Sequence, residues 1–213
     1  MSIVVRTLSD QTYEIVRRQI LSGELAPGMP VRQDSIAGEL GISKIPLREA
    51  LGRLEQDGLL CSYPNRGYVV SAMSAAEMDE IFSLRLKLEP TAAAEASRRA
   101  TPDDHRRALQ ELEALEAEQE RDGINQGSLN RAFHMSLIQP GGPIASQLVG
   151  RLQVLSERYV RMHLQPDGRD ARARKEHRDI LAAWTKGEAA RVETLLAAHI
   201  ESTLSDLRQQ LAA

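Results

Sequence analysis

The sequence predicts a mainly α protein in two parts. Residues 1–72 read as three short helices followed by a hairpin, and residues 73–213 as an all-α antiparallel helical bundle. Three observations predict this. Ala, Leu, Glu and Arg, which are strong helix formers, are abundant, while aromatic residues make up only 3% of the chain. Apolar residues recur at helical spacing along most of its length. The stretch that instead carries turn and β-branched residues is short, residues 59–70.

Taken in order, Thr12 to Leu21 forms the first helix, with Ile15, Val16 and Ile20 as its apolar stripe and Ser9 as the expected N-cap. Gly23 and the Ala26-Pro27-Gly28 run stop it. Gln33 to Leu40 is the second helix, buried through Ile36, Ala37 and Leu40 and ended by Gly41. Ser43 caps a third helix, Lys44 to Asp57, whose first turn tolerates Pro46 and whose inner face is Ala50, Leu51 and Leu54. Gly58 closes it. Leu59 to Ser62 leaves as a strand, Pro64-Asn65-Arg66-Gly67 turns, and Tyr68 to Val70 returns. Six helices then follow. Ser74 caps one from Ala75 to about Ala100, carrying Met78, Ile81, Leu84, Leu88 and Ala92 inward. The next runs from Thr101-Pro102 to about Asp122, with Glu111 to Glu120 as a solvated face. The others span Ser128 to Ile138, Ile144 to about Leu164, Arg169 to Lys186 and Glu188 to Leu211. Turns are expected at Gly123 to Gly127, Gln139 to Pro143 and Pro166-Asp167-Gly168.

Composition excludes several classes. A net charge of −3 rules out a uniformly basic nucleic-acid coat, so any such site is a local patch. Residues 1–72 hold 8 Lys/Arg and 8 Asp/Glu, so domain charge does not help. A single cysteine, Cys61, makes no internal disulfide and no cysteine-based zinc site. Met1 to Asp10 has no apolar signal core, and no stretch approaches the roughly 18 apolar residues of a membrane span. The expectation is a cytoplasmic protein with no membrane partner.

The segment Gly41-Ile42-Ser43-Lys44-Ile45-Pro46-Leu47-Arg48-Glu49-Ala50-Leu51 has the form of a helix-turn-helix, whose second helix brings polar side chains to base edges near its N-terminus. Ser43, Lys44 and Arg48 stand there, with Ile45 and Pro46 between them and Arg32 at the start of the preceding helix. Free N–H groups at the helix mouth also favour phosphate. The hairpin tip, Asn65, Arg66 and Gly67, would lie in or beside a groove, as a wing does. Glu49 is expected to serve packing or to orient Arg48. The same pattern would also fit a helical bundle whose arginines are merely solvated.

With Leu54, Gly58-Leu59 and the Arg66-Gly67 turn, residues 8–72 resemble the GntR family of bacterial regulators. The family motif is commonly Ser-Arg-Thr-Pro-Val-Arg-Glu-Ala-Leu, against Ser43-Lys44-Ile45-Pro46-Leu47-Arg48-Glu49-Ala50-Leu51 here. Lys44 keeps the charge of the usual Arg without its bidentate fork, and Ile45 removes a hydroxyl. The resemblance implies a winged helix-turn-helix bound as a homodimer to a near-palindromic double-stranded DNA operator, with repression as the usual outcome.

In the second part, Asn130 and His134 are four residues apart and share one helix face. His177 and His199 each sit mid-helix beside apolar residues. Imidazoles suit Zn, Ni and related ions, and an oxygen can complete the set. Each histidine alone reads more often as a structural or exposed residue than as a ligand, and spacing does not show that the three helices face one another. His105 and His163 read as surface residues and Trp184 as core. Residues 75–210 resemble the FCD ligand domain found in the FadR subfamily, and six helices resemble its VanR-like branch. That resemblance implies a divalent metal (Zn, Ni or Mn) held by Asn130, His134, His177 and His199, with Asn130 at a position usually Asp. It also implies a small carboxylate effector. Arg85 is the expected carboxylate clamp, since guanidinium pairs bidentately with carboxylate, or else an i,i+4 partner of Glu89. Tyr159, and less so Arg158 and Arg161, are further effector candidates.

Three functions compete at this level: a ligand-responsive transcription factor, a metal-dependent enzyme with a DNA-localising N-terminal module, and a protein-interaction module. No general base, nucleophile elbow, phosphate loop or cysteine nucleophile stands out to support the enzyme. Glu176 adjoins His177, but neighbours on a helix point about 100° apart.

Overall fold

The computed structural model describes residues 7–119, 125–164 and 169–212. Among them are nine α-helices and one two-stranded antiparallel sheet, in two compact units, Met1–Met73 and Ser74–Ala213. No helix among the described residues is long and apolar enough to cross a membrane.

The first unit holds α1 (Leu8–Ser22), α2 (Gln33–Leu40), α3 (Lys44–Gln56), β1 (Leu60–Tyr63) and β2 (Gly67–Val70). Its core is Val16 and Ile20 of α1, Ile36 of α2, Leu47, Leu51 and Leu54 of α3, and Leu59 and Val70 of the hairpin. Helix α1 begins four residues before the expected start. Thr7, not Ser9, is its N-cap: the Thr7 hydroxyl accepts from the Asp10 N–H while Asp10 accepts from the Thr7 N–H, a reciprocal capping box. Ser9 is buried instead. Arg53 of α3 pairs with Asp10 at 2.7 Å and lies over the Tyr13 ring, and the Tyr13 hydroxyl donates to Asp57 at 2.5 Å, so α1 is clamped along α3. Gly41 ends α2 at φ 63°, a left-handed conformation natural to glycine.

The hairpin pairs Leu60 with Val70 through Tyr63 with Gly67. The outgoing strand starts one residue later than expected, because the Leu59 N–H is still bonded to the Leu54 carbonyl at 2.9 Å. Sequence periodicity also missed a third extended segment. Pro30 bridges Val69, the Val31 N–H donates to Tyr68 O (2.8 Å) and the Val70 N–H to Met29 O (2.9 Å). The chain entering α2 is thereby stitched to the wing.

The second unit is the antiparallel helical bundle α4 (Ala75–Ser97), α5 (Pro102–Gln119), α6 (Gln126–Ile138), α7 (Pro143–Leu164), α8 (Arg169–Thr185) and α9 (Ala189–Ala212), with a 3-10 turn at Gln139–Gly141. Helix α4 packs on α9 and α7, α6 on α5 and α7, and α8 on α9. The inward face of α4 departs from the expected stripe. Met78 and Ile81 are buried, but so are Phe82, Arg85 and Glu89, while Leu84 and Leu88 are 39% and 38% exposed. A buried Arg85–Glu89 ion pair, four residues apart, makes this possible, because each charge neutralises the other away from water. The acidic run of α5 is likewise not all solvated. Glu118 is buried and accepts from Asn125, and Glu116 takes both arms of Arg178. Glu120, Asp122, Gly123 and the Pro166-Asp167-Gly168 turn lie outside the described residues.

Candidate functional site

In the first unit, Arg32, Ser43, Lys44, Ile45, Arg48, Asn65, Arg66 and Gly67 are all exposed, and Pro46 is half-buried. Ser43 takes the extended N-cap conformation of α3, yet its hydroxyl makes no cap bond. The first N–H groups of α3 therefore keep their anion-binding capacity. Ile45 is 71% exposed, a position that folding alone does not reward in so large an apolar side chain. Arg48 donates from Nε to Gln33 Oε1 at 3.4 Å. The Gln33 amide nitrogen in turn lies 3.7 Å from where a side chain at Gly67 would begin. Gln33, which sequence reasoning missed, thus joins the mouth of α3 to the wing tip. Lys44 pairs with Asp34 at 2.6 Å, both exposed, a contact weak enough to be exchanged for a phosphate. Glu49 is exposed rather than packed, and Arg48 donates to Gln33. The wing turn holds Asn65 at φ 62° and Gly67 at φ 72°. Asn tolerates the left-handed region and Gly adopts it freely.

In the second unit, α6, α8 and α9 bring His134, His177 and His199 together. One ring nitrogen from each lies within 4.8 Å of the others, and all three residues are buried. His177 Nε2 and His199 Nε2 are 3.2 Å apart. Neither ring nitrogen of His134 has a hydrogen-bond partner, nor has His177 Nδ1. Buried polar groups are ordinarily satisfied, so this convergence of lone pairs fits a metal ion. Burial pushes the His177 pKa well below the usual imidazole value, helped by His199 and His134. Burial also lowers that of His134, against the pull of Glu89. Both shifts favour the neutral imidazole, the form that ligates. Asn130, one turn before His134, is buried and lines a cavity of about 10 Å³ with Arg85, His199, Val160, Ala173, Ile200 and Thr203.

Arg85 reaches this cavity but is already engaged, with Nε 2.6 Å from Glu89 Oε1. Glu89 also accepts from Gln153 Nε2 at 2.9 Å and lies 3.5 Å from His134 Nδ1. Burial opposes its charge, but Arg85 and His134 outweigh this and hold its carboxyl at about 2. Tyr159 is buried elsewhere, and the cavity is lined by its neighbour Val160 instead. The Tyr159 hydroxyl donates to Glu77 at 2.5 Å and accepts from the Ser74 N–H at 3.1 Å, anchoring the start of α4 to α7. Burial first, then Glu77, raises its pKa to about 12. Arg158 is buried 3.8 Å from Glu77. The side chains of Arg161 and His163 lie outside those described. His105 is half-buried rather than free on the surface, edge-on to Trp184 at 5.4 Å. Sequence reasoning passed over Glu89, Gln153 and Glu176 as functional groups. The signal for Glu89 was present in its i,i+4 spacing from Arg85.

Comparison with known proteins agrees with both halves. Residues 8–70 match the bacterial regulatory proteins of the gntR family, and residues 80–202 match the FCD domain. The HTH-type transcriptional repressor RspR of Escherichia coli is 26% identical over 95% of this chain and 90% of its own length. The HTH-type transcriptional regulator McbR, also of Escherichia coli, is 31% identical over 70% of this chain and 68% of its own. Other relatives align over less. The chain spans 47% of a regulator from Agrobacterium vitis and 37% of YdhC from Bacillus subtilis. The solved structure of Escherichia coli McbR/YncC superposes with a TM-score of 0.80 at 26% identity, covering 97% of this chain and 99% of that one. These relatives are regulators, which removes the enzyme reading. With a helix-turn-helix and wing in one unit and a helical effector-binding bundle in the other, the chain belongs to the GntR family as an FCD-containing, DNA-binding transcriptional regulator.

Proposed function

We propose that this regulator is a cytoplasmic homodimeric repressor whose operator affinity is set by a small carboxylate effector bound beside a divalent metal. The observation that carries the reading is the convergence of three buried imidazoles, with one ring nitrogen of each within 4.8 Å of the others and with both nitrogens of His134 and Nδ1 of His177 lacking a hydrogen-bond partner. His134, His177 and His199 would hold Zn, Ni or Mn, with the Asn130 amide oxygen as a fourth donor. When bound, the ion supplies a Lewis-acidic position for an anion. Asn130 brings no negative charge, so the ion and an anionic effector should strengthen each other's binding. Arg85 would share its guanidinium between Glu89 and the effector. Tyr159, though held by Glu77, would act on effector binding through the placing of α4.

On the DNA side, Ser43, Lys44, Ile45, Pro46 and Arg48 would enter the major groove of a near-palindromic operator. Arg32, Asn65, Arg66 and Gly67 would contact its backbone or the adjacent groove. Exposed Ile45 suits a thymine methyl. The effector would favour one arrangement of the regulator over another and so shift the population that is competent for DNA.

The test is the metal content of full-length protein purified without a metal-affinity tag, beside a His134→Ala, His177→Ala double variant. About one ion per chain, lost in the variant, is the expected result. No ion in either protein after addition of Zn, Ni or Mn would remove the metal. A carboxylate screen, read as a change in operator affinity, then identifies the effector class.

A further inference from the structure

We propose that Glu176 is a positioning residue of the histidine centre. It fixes His199 as an Nε2 donor and supplies, one step out, the negative charge that Asn130 does not. The inference rests on the metal reading above. Glu176 and His177 are consecutive on α8, so their side chains diverge by about 100° around the helix. His177 turns to the cluster, while Glu176 crosses to α9, where its Oε2 lies 2.7 Å from His199 Nδ1. A carboxylate at Nδ1 holds the proton there and leaves the lone pair on Nε2. His199 Nε2 is the nitrogen that faces His177 Nε2 at 3.2 Å. The carboxylate is itself braced: Arg172 lies 3.6 Å from Glu176 Oε1 and also pairs with Asp206 of α9.

Charge makes the arrangement more than orientation. Three neutral imidazoles and an amide leave a divalent ion uncompensated in a buried place, which is costly. Two carboxylates are near. Glu89 stands 3.5 Å from His134 Nδ1, beyond a well-formed hydrogen bond, and its charge is taken up by Arg85 at 2.6 Å. Glu176 makes the short contact to its histidine, with Arg172 at 3.6 Å from its other oxygen also paired with Asp206. Of the two, Glu176 is the carboxylate in hydrogen-bond contact with an imidazole of the cluster. Partners of this kind outside the ligand sphere raise the basicity of the histidine and tune metal affinity.

The experiment uses the full chain and Zn²⁺ alone, titrated against a chromophoric chelator, for wild type, Glu176→Ala, Glu176→Gln, Asn130→Asp and Asn130→Asp/Glu176→Ala. Imidazole ¹⁵N shifts of the metal-free proteins report the His199 tautomer. Glu176→Ala is expected to weaken Zn²⁺ by about 10- to 100-fold and to lose the Nδ1–H tautomer of His199. Glu176→Gln should keep the tautomer, since an amide oxygen still accepts, and lose part of the affinity. Asn130→Asp should restore affinity in the Glu176→Ala background, because it returns the charge. Zn²⁺ bound equally by wild type and both Glu176 variants, with His199 unchanged, overturns the proposal while leaving the metal reading intact. A wild type that binds no Zn²⁺ overturns both.

Discussion

Trp184 donates its indole N–H to the Leu137 carbonyl at 3.0 Å, with the ring fully buried. Leu137 belongs to the last turn of α6, where carbonyls have no intrahelical donor. The indole thus serves as packing and as a cap for another helix. Trp184→Phe should therefore cost about 2 kcal/mol, because a buried acceptor is left unmade, and chemical denaturation of the variant measures it. A loss below about 0.5 kcal/mol would mean that the carbonyl finds another donor. The core role of Trp184 was legible in the sequence; its partner, 47 residues away, was not. The same limit holds at the histidine centre. Residue type and helical context singled out His134, His177 and His199, but the contact between Glu176 and His199 depends on the register of α8 against α9, which no local pattern encodes. In the first unit, Arg48→Ala should cost about 1–3 kcal/mol in operator affinity and much less on unrelated DNA, as fluorescence anisotropy would read. An equal loss on both DNAs would assign Arg48 to phosphate rather than to a base.

At the level of elements, helices were legible because their apolar spacing is long and regular, whereas their ends depend on single hydrogen bonds. Thr7 with Asp10 started α1 earlier than Ser9 would have, and the Leu59 N–H delayed β1 by one residue. Helix α4 was legible as a helix but not in its rotation, because a periodicity argument turns leucines inward and cannot anticipate a buried Arg85–Glu89 pair. The contact between α6 and α7 gives a sharp test. A side chain added at Gly127 would start 2.9 Å from Glu157 Cγ and 3.4 Å from the Glu157 carbonyl. Glu157 is buried, with Arg131 at 3.4 Å, so it has little room to retreat. Gly150, on α7, would instead meet only the flexible end of Met135 at 3.5 Å. Gly127→Ala should destabilise by about 1–3 kcal/mol through overpacking. Gly150→Ala should be neutral or stabilise by up to about 1 kcal/mol from helix propensity. Thermal melts of the two variants decide it, and equal melting temperatures would contradict the packing described for Gly127.

For the whole molecule, the proposed function would require more than one chain, because a near-palindromic operator would be read by two copies related by a two-fold axis. A two-fold contact uses the same patch on both copies and so must be self-complementary. One face of the second unit has that character. Leu84 and Leu88 of α4 and Ile144 and Leu148 of α7 are exposed by 38–69%. Leu88, Ile144 and Leu148 line a groove of about 460 Å³ bordered by Lys87, Arg99 and Glu95, charges of both signs. Large aliphatic side chains gathered on a surface mark an interaction site more often than chance exposure. Leu84 and Leu88 of this face belong to the apolar stripe that periodicity gave α4, and a second copy covering them would reconcile that stripe with the fold. Leu88→Glu with Ile144→Glu should then leave the single chain as stable as wild type, since neither side chain is in its core. It should also shift sedimentation from dimer to monomer and weaken operator binding, because each half-site would then be held separately. A double variant that remains a dimer would move the interface elsewhere. A monomer with undiminished operator affinity would mean instead that the two half-sites are not bound as a unit.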